Sequence, residues 1–136
     1  MTDIIYKELQ FNKSAILNLY INNEWTLYTD SPEKLFDGIL NSLYCYGAYD
    51  RKELVGLVRV VGDGNTIIYI QDILILKKYQ NKGIGTKLLS DIISKYKGVR
   101  QLILTTDNSI MQKKFYEKNG FVDFIGANLV GFKLKK

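Results

Sequence analysis

A chain of 136 residues, with 46% hydrophobic and 24% charged residues, has the size and composition of one folded domain, read here as spanning 1–136. It contains no histidine, which excludes His-based triads, His-ligated zinc and imidazole proton shuttles. Its one cysteine excludes an internal disulfide and suits a reducing, cytoplasmic setting, while the formal charge of +5 suits a solvated lysine-rich surface, a polyphosphate-bearing small molecule or a nucleic acid.

Residues 3–9 alternate weakly and predict an opening strand. Ser14 offers an N-cap, and Ile16, Leu17, Tyr20 and Ile21 follow at helical spacing to about Asn23. Ser31-Pro32-Glu33 is a stronger start signal, with a cap, a proline at the first helical position and an acid in the first turn. Leu35, Phe36, Ile39, Leu40 and Leu43 continue that second helix. The texture then changes to a strand over Leu43–Tyr49, a turn at Asp50-Arg51-Lys52, a strand over Leu54–Val61, a hairpin turn at Gly62-Asp63-Gly64-Asn65 and a third strand over Thr66–Leu76. Cys45 falls in the first of these and reads as a small buried hydrophobe. Ile84, Leu88, Leu89, Ile92, Ile93 and Tyr96 mark a helix that Gly98 terminates. Gln101–Thr106 is a strand, parallel to Thr66–Leu76 because a helix-sized crossover joins them. A short helix, Ser109–Asn119, closes at Gly120, and Phe121–Leu134 predicts one or two last strands. Neither a signal peptide nor an apolar run of bilayer length is visible, so no membrane partner is expected.

The informative stretch runs from Ile73 to Thr86. A strand ends near Leu76, and Gln80-Asn81-Lys82-Gly83-Ile84-Gly85-Thr86 opens a helix. Glycines there let the backbone turn sharply and approach a ligand closely. The first helical amides lack internal partners, and with the helix dipole they favour an anion. Lys77, Lys78, Lys82 and Lys87 add positive charge. A dinucleotide fingerprint needs a third glycine where Leu88 stands, and a P-loop needs a Gly-Lys-Ser/Thr run that Gly85-Thr86-Lys87 does not supply. A tight turn with no ligand is the remaining alternative.

Gln80 to Gly85 resembles the pyrophosphate-binding motif of the GNAT superfamily of N-acetyltransferases: arginine or glutamine, two residues, glycine, any residue, then glycine or alanine. Phe115-Tyr116-Glu117-Lys118-Asn119-Gly120-Phe121 resembles that family's second signature, and the order of elements is similar over essentially the whole chain. Trp25–Thr29, Val55–Gly64 and Tyr69–Leu74 look like a group of small bacterial members. The resemblance implies an α+β fold with a mostly antiparallel central sheet, about four flanking helices and a parallel strand pair around the coenzyme site. It implies acetyl-CoA as cosubstrate, no metal, and a small-molecule or peptide amine as acceptor. Ile73, Leu74 and Ile75 match the splayed strand end that pairs with the pantetheine arm. Gln80, Asn81, Lys82, Gly83, Ile84, Gly85 and Thr86 match the pyrophosphate cradle. Asn108 matches an asparagine on the pantetheine arm, one residue out of the usual spacing, which Ser109 has. Trp25 and Tyr28 fall where the family covers its acceptor cleft. Gln71 stands where polyamine acetyltransferases carry a glutamate.

An amine must be neutral to attack a thioester, and an alkylamine has a pKa of about 10. The departing thiolate benefits from a donor. Tyr116 is the candidate, with a phenol pKa broadly comparable to the thiol's. It lies about 100° around its helix from Phe115 and so groups with Gln112 and Lys113. Glutamine is no base, and Asp72 is either a structural acid or a base on the opposite sheet face from Gln71. Trp25 either walls the acceptor cleft or caps the core. Two further readings stay open: a coenzyme-binding sensor without turnover, and a single-strand nucleic-acid binder, which the unpatterned aromatics disfavour. Acceptor identity and homodimer formation are not fixed by the sequence.

Overall fold

The computed structural model describes residues 3–136. The chain forms two compact units, one reaching to Thr105 and one beginning at Thr106.

The first unit carries β1 (Ile4–Glu8), α1 (Lys13–Asn22), α2 (Thr26–Thr29), α3 (Pro32–Leu40), β2 (Tyr44–Asp50), β3 (Glu53–Gly62), β4 (Ile67–Ile75), α4 (Ile84–Lys95) and β5 (Gln101–Leu104). The strands lie in the order β1-β2-β3-β4-β5. The first three pairings are antiparallel, and β4 with β5 is parallel, as expected for a helix-sized crossover. This is the predicted α+β sheet.

Local chemistry sets the boundaries. α1 starts two residues earlier than a Ser14 cap implied, because the Asn12 side chain accepts from the Ala15 N–H at 2.9 Å and takes the cap. The second predicted helix stops at Leu40, and Leu43 lies just ahead of β2, its N–H donating to Val60 O of β3 at 3.0 Å. The β3–β4 turn is held by Asp63, whose Oδ1 accepts from the amides of Asn65, Thr66 and Ile67. The hydroxyl of Thr66 donates to Oδ2, and these bonds together hold the carboxyl far below the usual carboxylate range.

Side chains alternate along β3, so Gly56 and Arg59 face opposite sides. On the Gly56 side a Cβ would meet Ile84 and Leu88, and α4 buries Ile84, Leu88, Leu89 and Ile92 there. Each such side chain contributes about 1.5–3 kcal/mol on burial. Tyr6, Tyr46 and Tyr44 stack in a row on this face, and the Tyr46 hydroxyl donates to Asp91 at 2.6 Å. On the Arg59 side α1 buries Ile16, Leu19 and Tyr20. Cys45 is buried in β2 as expected, and burial pushes its thiol pKa up.

The second unit holds α5 (Ile110–Lys118). Ser109 caps it by accepting from the Gln112 N–H at 3.2 Å, and Gly120 leaves it at φ 94°. The strands expected over Phe121–Leu134 are not found. Residues 124–128 make a turn instead, with Leu129 N–H on Phe124 O and Gly126 N–H on Asp123 Oδ1, and the rest of 121–136 has no regular structure. Val122, Val130, Phe132 and Leu134 alternate apolar with polar or small residues, yet stand exposed. Strand propensity alone makes no strand without a neighbour to pair with.

Candidate functional site

Strand β4 loses one of its neighbours half-way along. Its ladder with β5 covers Ile67–Ile70 against Gln101–Leu104 and stops there. Its ladder with β3 continues to Ile75, but Val60 pairs with Ile70 and Arg59 with Asp72, so Gln71 is an extra residue, a β-bulge. Beyond the bulge one edge of β4 is open. Leu76 N–H donates to Val55 O, which makes Leu76, Leu74 and Asp72 the residues whose backbone faces β3. The backbone groups of Ile73 and Ile75 therefore face the open edge. Leu74, the third expected pantetheine contact, spends its backbone on the ladder and is buried. Ile75 O at this edge accepts from Asn23 Nδ2 and from Gln80 Nε2, both at 3.1 Å. Gln80, expected at the phosphates, thus ties the loop to the strand end.

After β4 the chain makes a short 3-10 turn over Lys77–Tyr79 and then the glycine loop. Asn81 and Gly83 both adopt positive φ, 62° and 84°. Gly83 occupies the N-cap of α4 with no side chain to cap it, and the first bond into the helix is Lys87 N–H to Gly83 O. The amides of Gly83, Ile84, Gly85 and Thr86 thus have no helical acceptor. A Cβ on Gly83 would meet nothing within 4 Å, so the space beside these amides is open. Among the nearby lysines, Lys77 pairs with Glu24 and Lys87 with Asp91. Lys78 and Lys82 instead lie over the Tyr79 ring, at 5.5 and 5.6 Å from its centre. Amides, open space and positive charge fit a pyrophosphate.

Beside the bulge lies a buried polar cluster. Asp72 Oδ2 accepts from Arg59 Nε and from the Tyr20 hydroxyl, each at 2.8 Å, and Oδ1 accepts from the Tyr28 hydroxyl at 3.0 Å. Asp72 and Arg59 are 2% and 7% exposed. Three donors hold both oxygens of this buried carboxylate, an arrangement that fits the structural acid of the two readings better than the base. Burial, and then Asp72, raises the pKa of Tyr20 and of Tyr28, keeping both hydroxyls protonated. Burial opposes the charge on Arg59, but Asp72 outweighs it and raises its pKa. The Gln71 amide nitrogen reaches the Tyr28 hydroxyl at 2.9 Å. Trp25, half-buried, packs on Tyr20 and Tyr28 with ring centres 5.7 and 5.8 Å away. Trp25, Tyr28 and Gln71, distant in sequence, are brought into one cluster.

Sequence reasoning missed Arg59, Tyr20 and Asn23. Arg59 had a signal, as the one charge within the apolar run Leu54–Val61. Tyr20 and Asn23 had none, since their partners lie 52 residues away.

In the second unit, Tyr116 is the buried residue of α5, 8% exposed, packed edge-on between Phe115 and Phe121 at 5.1 and 5.7 Å. This corrects its grouping with the exposed Lys113, because Phe121 covers it from beyond Gly120. Burial pushes its pKa up to about 12. The phenol is therefore a weaker acid than a thiol, whose pKa is about 8.5, and not its equal. Asn108 is exposed just ahead of the Ser109 cap.

The sequence pattern of the acetyltransferase (GNAT) domain family matches residues 41–123. An uncharacterized N-acetyltransferase of Bacillus subtilis, YvbK, is 32% identical over 98 residues, 70% of this chain, and the chain spans 63% of that relative's length. The GNAT-family acetyltransferase SP0256 of Streptococcus pneumoniae superposes with a TM-score of 0.87 at 29% identity, covering 100% of this chain and 98% of that one. The Staphylococcus aureus protein SA2161 does so with a TM-score of 0.80 at 27% identity, covering 98% and 100%. The open strand edge that leads into an uncapped, glycine-lined helix start therefore sits within a matched family domain, and the chain belongs to the GNAT acetyltransferase family.

Proposed function

We propose that this protein transfers an acetyl group from acetyl-CoA to a primary amine, by direct attack in a ternary complex with no covalent enzyme intermediate and no metal. The observation that carries this reading is the succession of two features suited to binding: β4 has no strand partner on one edge past Ile70, and the loop that follows Ile75 leads through a 3-10 turn to the uncapped start of α4 at Gly83. The coenzyme supplies an activated thioester. The amide and carbonyl of Ile73 and the amide of Ile75 are suited to an extended arm that carries its own amides. The amides of Gly83 to Thr86, with Lys78 and Lys82, would hold the pyrophosphate. Asn108 is assigned to the arm on the family resemblance alone.

Tyr116 is assigned to the leaving sulfur on its place in the second signature. With a pKa near 12 it keeps its proton throughout the neutral range. Transfer of that proton to a thiolate is uphill, because the phenol is the weaker acid, so its contribution is a hydrogen bond to the developing charge. The acceptor side is assigned to the cluster of Trp25, Tyr28 and Gln71, which suits a small-molecule or peptide amine. The proposed setting is cytoplasmic, with neither nucleic acid nor membrane as partner.

The test is thiol release from acetyl-CoA with a panel of polyamines, aryl-alkyl amines, aminoglycosides, lysine side chains and peptide α-amines. Amine-dependent release supports the reading. Tight coenzyme binding with no release for any amine would replace it with a coenzyme sensor.

A further inference from the structure

The Asp72 carboxylate can only accept, and it takes the single proton of the Tyr28 hydroxyl at 3.0 Å. The Tyr28 oxygen is left with lone pairs alone. The Gln71 atom 2.9 Å from it must then be the amide nitrogen, which turns the Gln71 carbonyl oxygen away from Tyr28. Arg59 and Tyr20 fix Asp72 from its other oxygen. Gln71 itself is exposed and is the extra residue of the bulge, at the point where β5 leaves β4.

We infer that Gln71 contacts the acceptor through this outward carbonyl, accepting a hydrogen bond from the amine without taking its proton, and that Tyr28 is the positioning residue that sets the amide's orientation. The inference rests on the amine acetylation proposed above. It narrows the acceptor class. Gln71 touches Tyr28 on α2, and through Tyr28 and Asp72 the network extends to Tyr20 on α1 and Arg59 on β3; Tyr69 stands two residues before Gln71 on β4, and the Glu24–Lys77 pair begins beside Trp25. The two carboxylates are engaged, Asp72 by three donors and Glu24 by Lys77 at 2.8 Å. The Tyr69 and Thr105 hydroxyls are hydrogen-bonded to each other at 2.6 Å. With both carboxylates of this cluster engaged, the amine on this reading arrives neutral. At pH 7 an amine of pKa about 8 is neutral roughly 200 times more often than one of pKa about 10.4, so the cluster favours weakly basic acceptors such as peptide α-amines.

Two experiments test this. The first needs no turnover. In the free protein, the side-chain amide protons of Gln71, assigned by their loss in Gln71→Leu, are expected to be shifted and slow to exchange in the 15N spectrum. In Tyr28→Phe they should move to the position of an exposed glutamine while the melting curve confirms a folded protein. Identical Gln71 signals in both proteins would overturn the relay. The second uses a trialanine α-amine and the side chain of Nα-acetyl-lysine amide as probes. The pH at which kcat/KM levels off should differ by about two units between them, following the amines. A shared plateau would reveal an enzyme base and overturn the inference. Gln71→Leu should lower kcat/KM for the amine about tenfold with KM for acetyl-CoA unchanged. The double variant with Tyr28→Phe should be no worse than Gln71→Leu alone; additive losses would contradict Tyr28 acting through Gln71. Failure of the unsubstituted protein to acetylate either probe counts against the proposed activity, while the spectra decide the relay independently.

Discussion

Arg59 and Asp72 stand directly opposite each other on the β3–β4 hairpin, and the guanidinium Nε donates to the carboxylate at 2.8 Å with both side chains buried. Removing either partner leaves an uncompensated charge in the interior. Arg59→Leu and Asp72→Leu are each expected to destabilise the protein by about 3–5 kcal/mol. The double variant should recover much of that loss, because it buries no charge at all. Urea unfolding of the three variants checks this, and single variants of near-native stability would show that water reaches the pair.

Gly83 combines a positive φ with open space beside it, where the phosphates are proposed to sit. Its φ of 84° disfavours any residue with a Cβ, and a β-branched one most. Gly83→Val is expected to lose both stability and coenzyme affinity. Gly83→Asn tolerates this backbone better, so it should melt near the unsubstituted protein while binding acetyl-CoA more weakly. Calorimetry beside thermal melting separates the two effects. Full affinity in a folded Gly83→Asn protein would place the phosphates elsewhere.

The elements that could be read in the sequence were those defined by local pattern. α4 carries an apolar stripe over three turns and ends within a residue or two of its expected limits. The β3–β4 hairpin was legible in Gly62-Asp63-Gly64-Asn65, whose turn chemistry is local. α2 has only four residues, too few to show a period, and was not anticipated. The bulge at Gln71 depends on how β3 registers against β4, which no window of β4 contains. The same holds for the cluster: Trp25, Tyr28 and Gln71 were visible singly, but Asp72 as their hub needed the register. Burial of Tyr116 was misread because its covering ring, Phe121, lies outside the helix.

The protein is expected to bind acetyl-CoA and neither NAD nor ATP tightly. The loop lacks the third glycine of a dinucleotide fold and the lysine of a P-loop, and a meander precedes it. Isothermal titration with the three ligands decides; tight NAD binding without coenzyme A binding would overturn the assignment.

Tyr116→Phe keeps the ring between Phe115 and Phe121, so the melting temperature should change little. Loss of a hydrogen bond to the leaving sulfur is expected to lower the single-turnover rate about 10²-fold with a modest change in KM for acetyl-CoA. The sign of the pH effect follows from the pKa raised to about 12: the hydroxyl stays protonated below that value, so no loss of rate from Tyr116 should appear between neutral pH and about 12. Folding stability linked to this group is fully present below the ordinary tyrosine value near 10 and declines as pH rises through 12. An unchanged single-turnover rate in Tyr116→Phe would make it a packing residue.

All four residues of β5 are already paired with Ile67–Ile70, so past the bulge at Gln71 the backbone of Ile73 has no strand partner among the described residues. The chain thus leaves a half-finished ladder, and the extended arm proposed to lie there would finish it from outside the protein. Ligand-induced thermal shifts should then be large, because the bound arm contributes backbone bonds that the folded chain alone does not make.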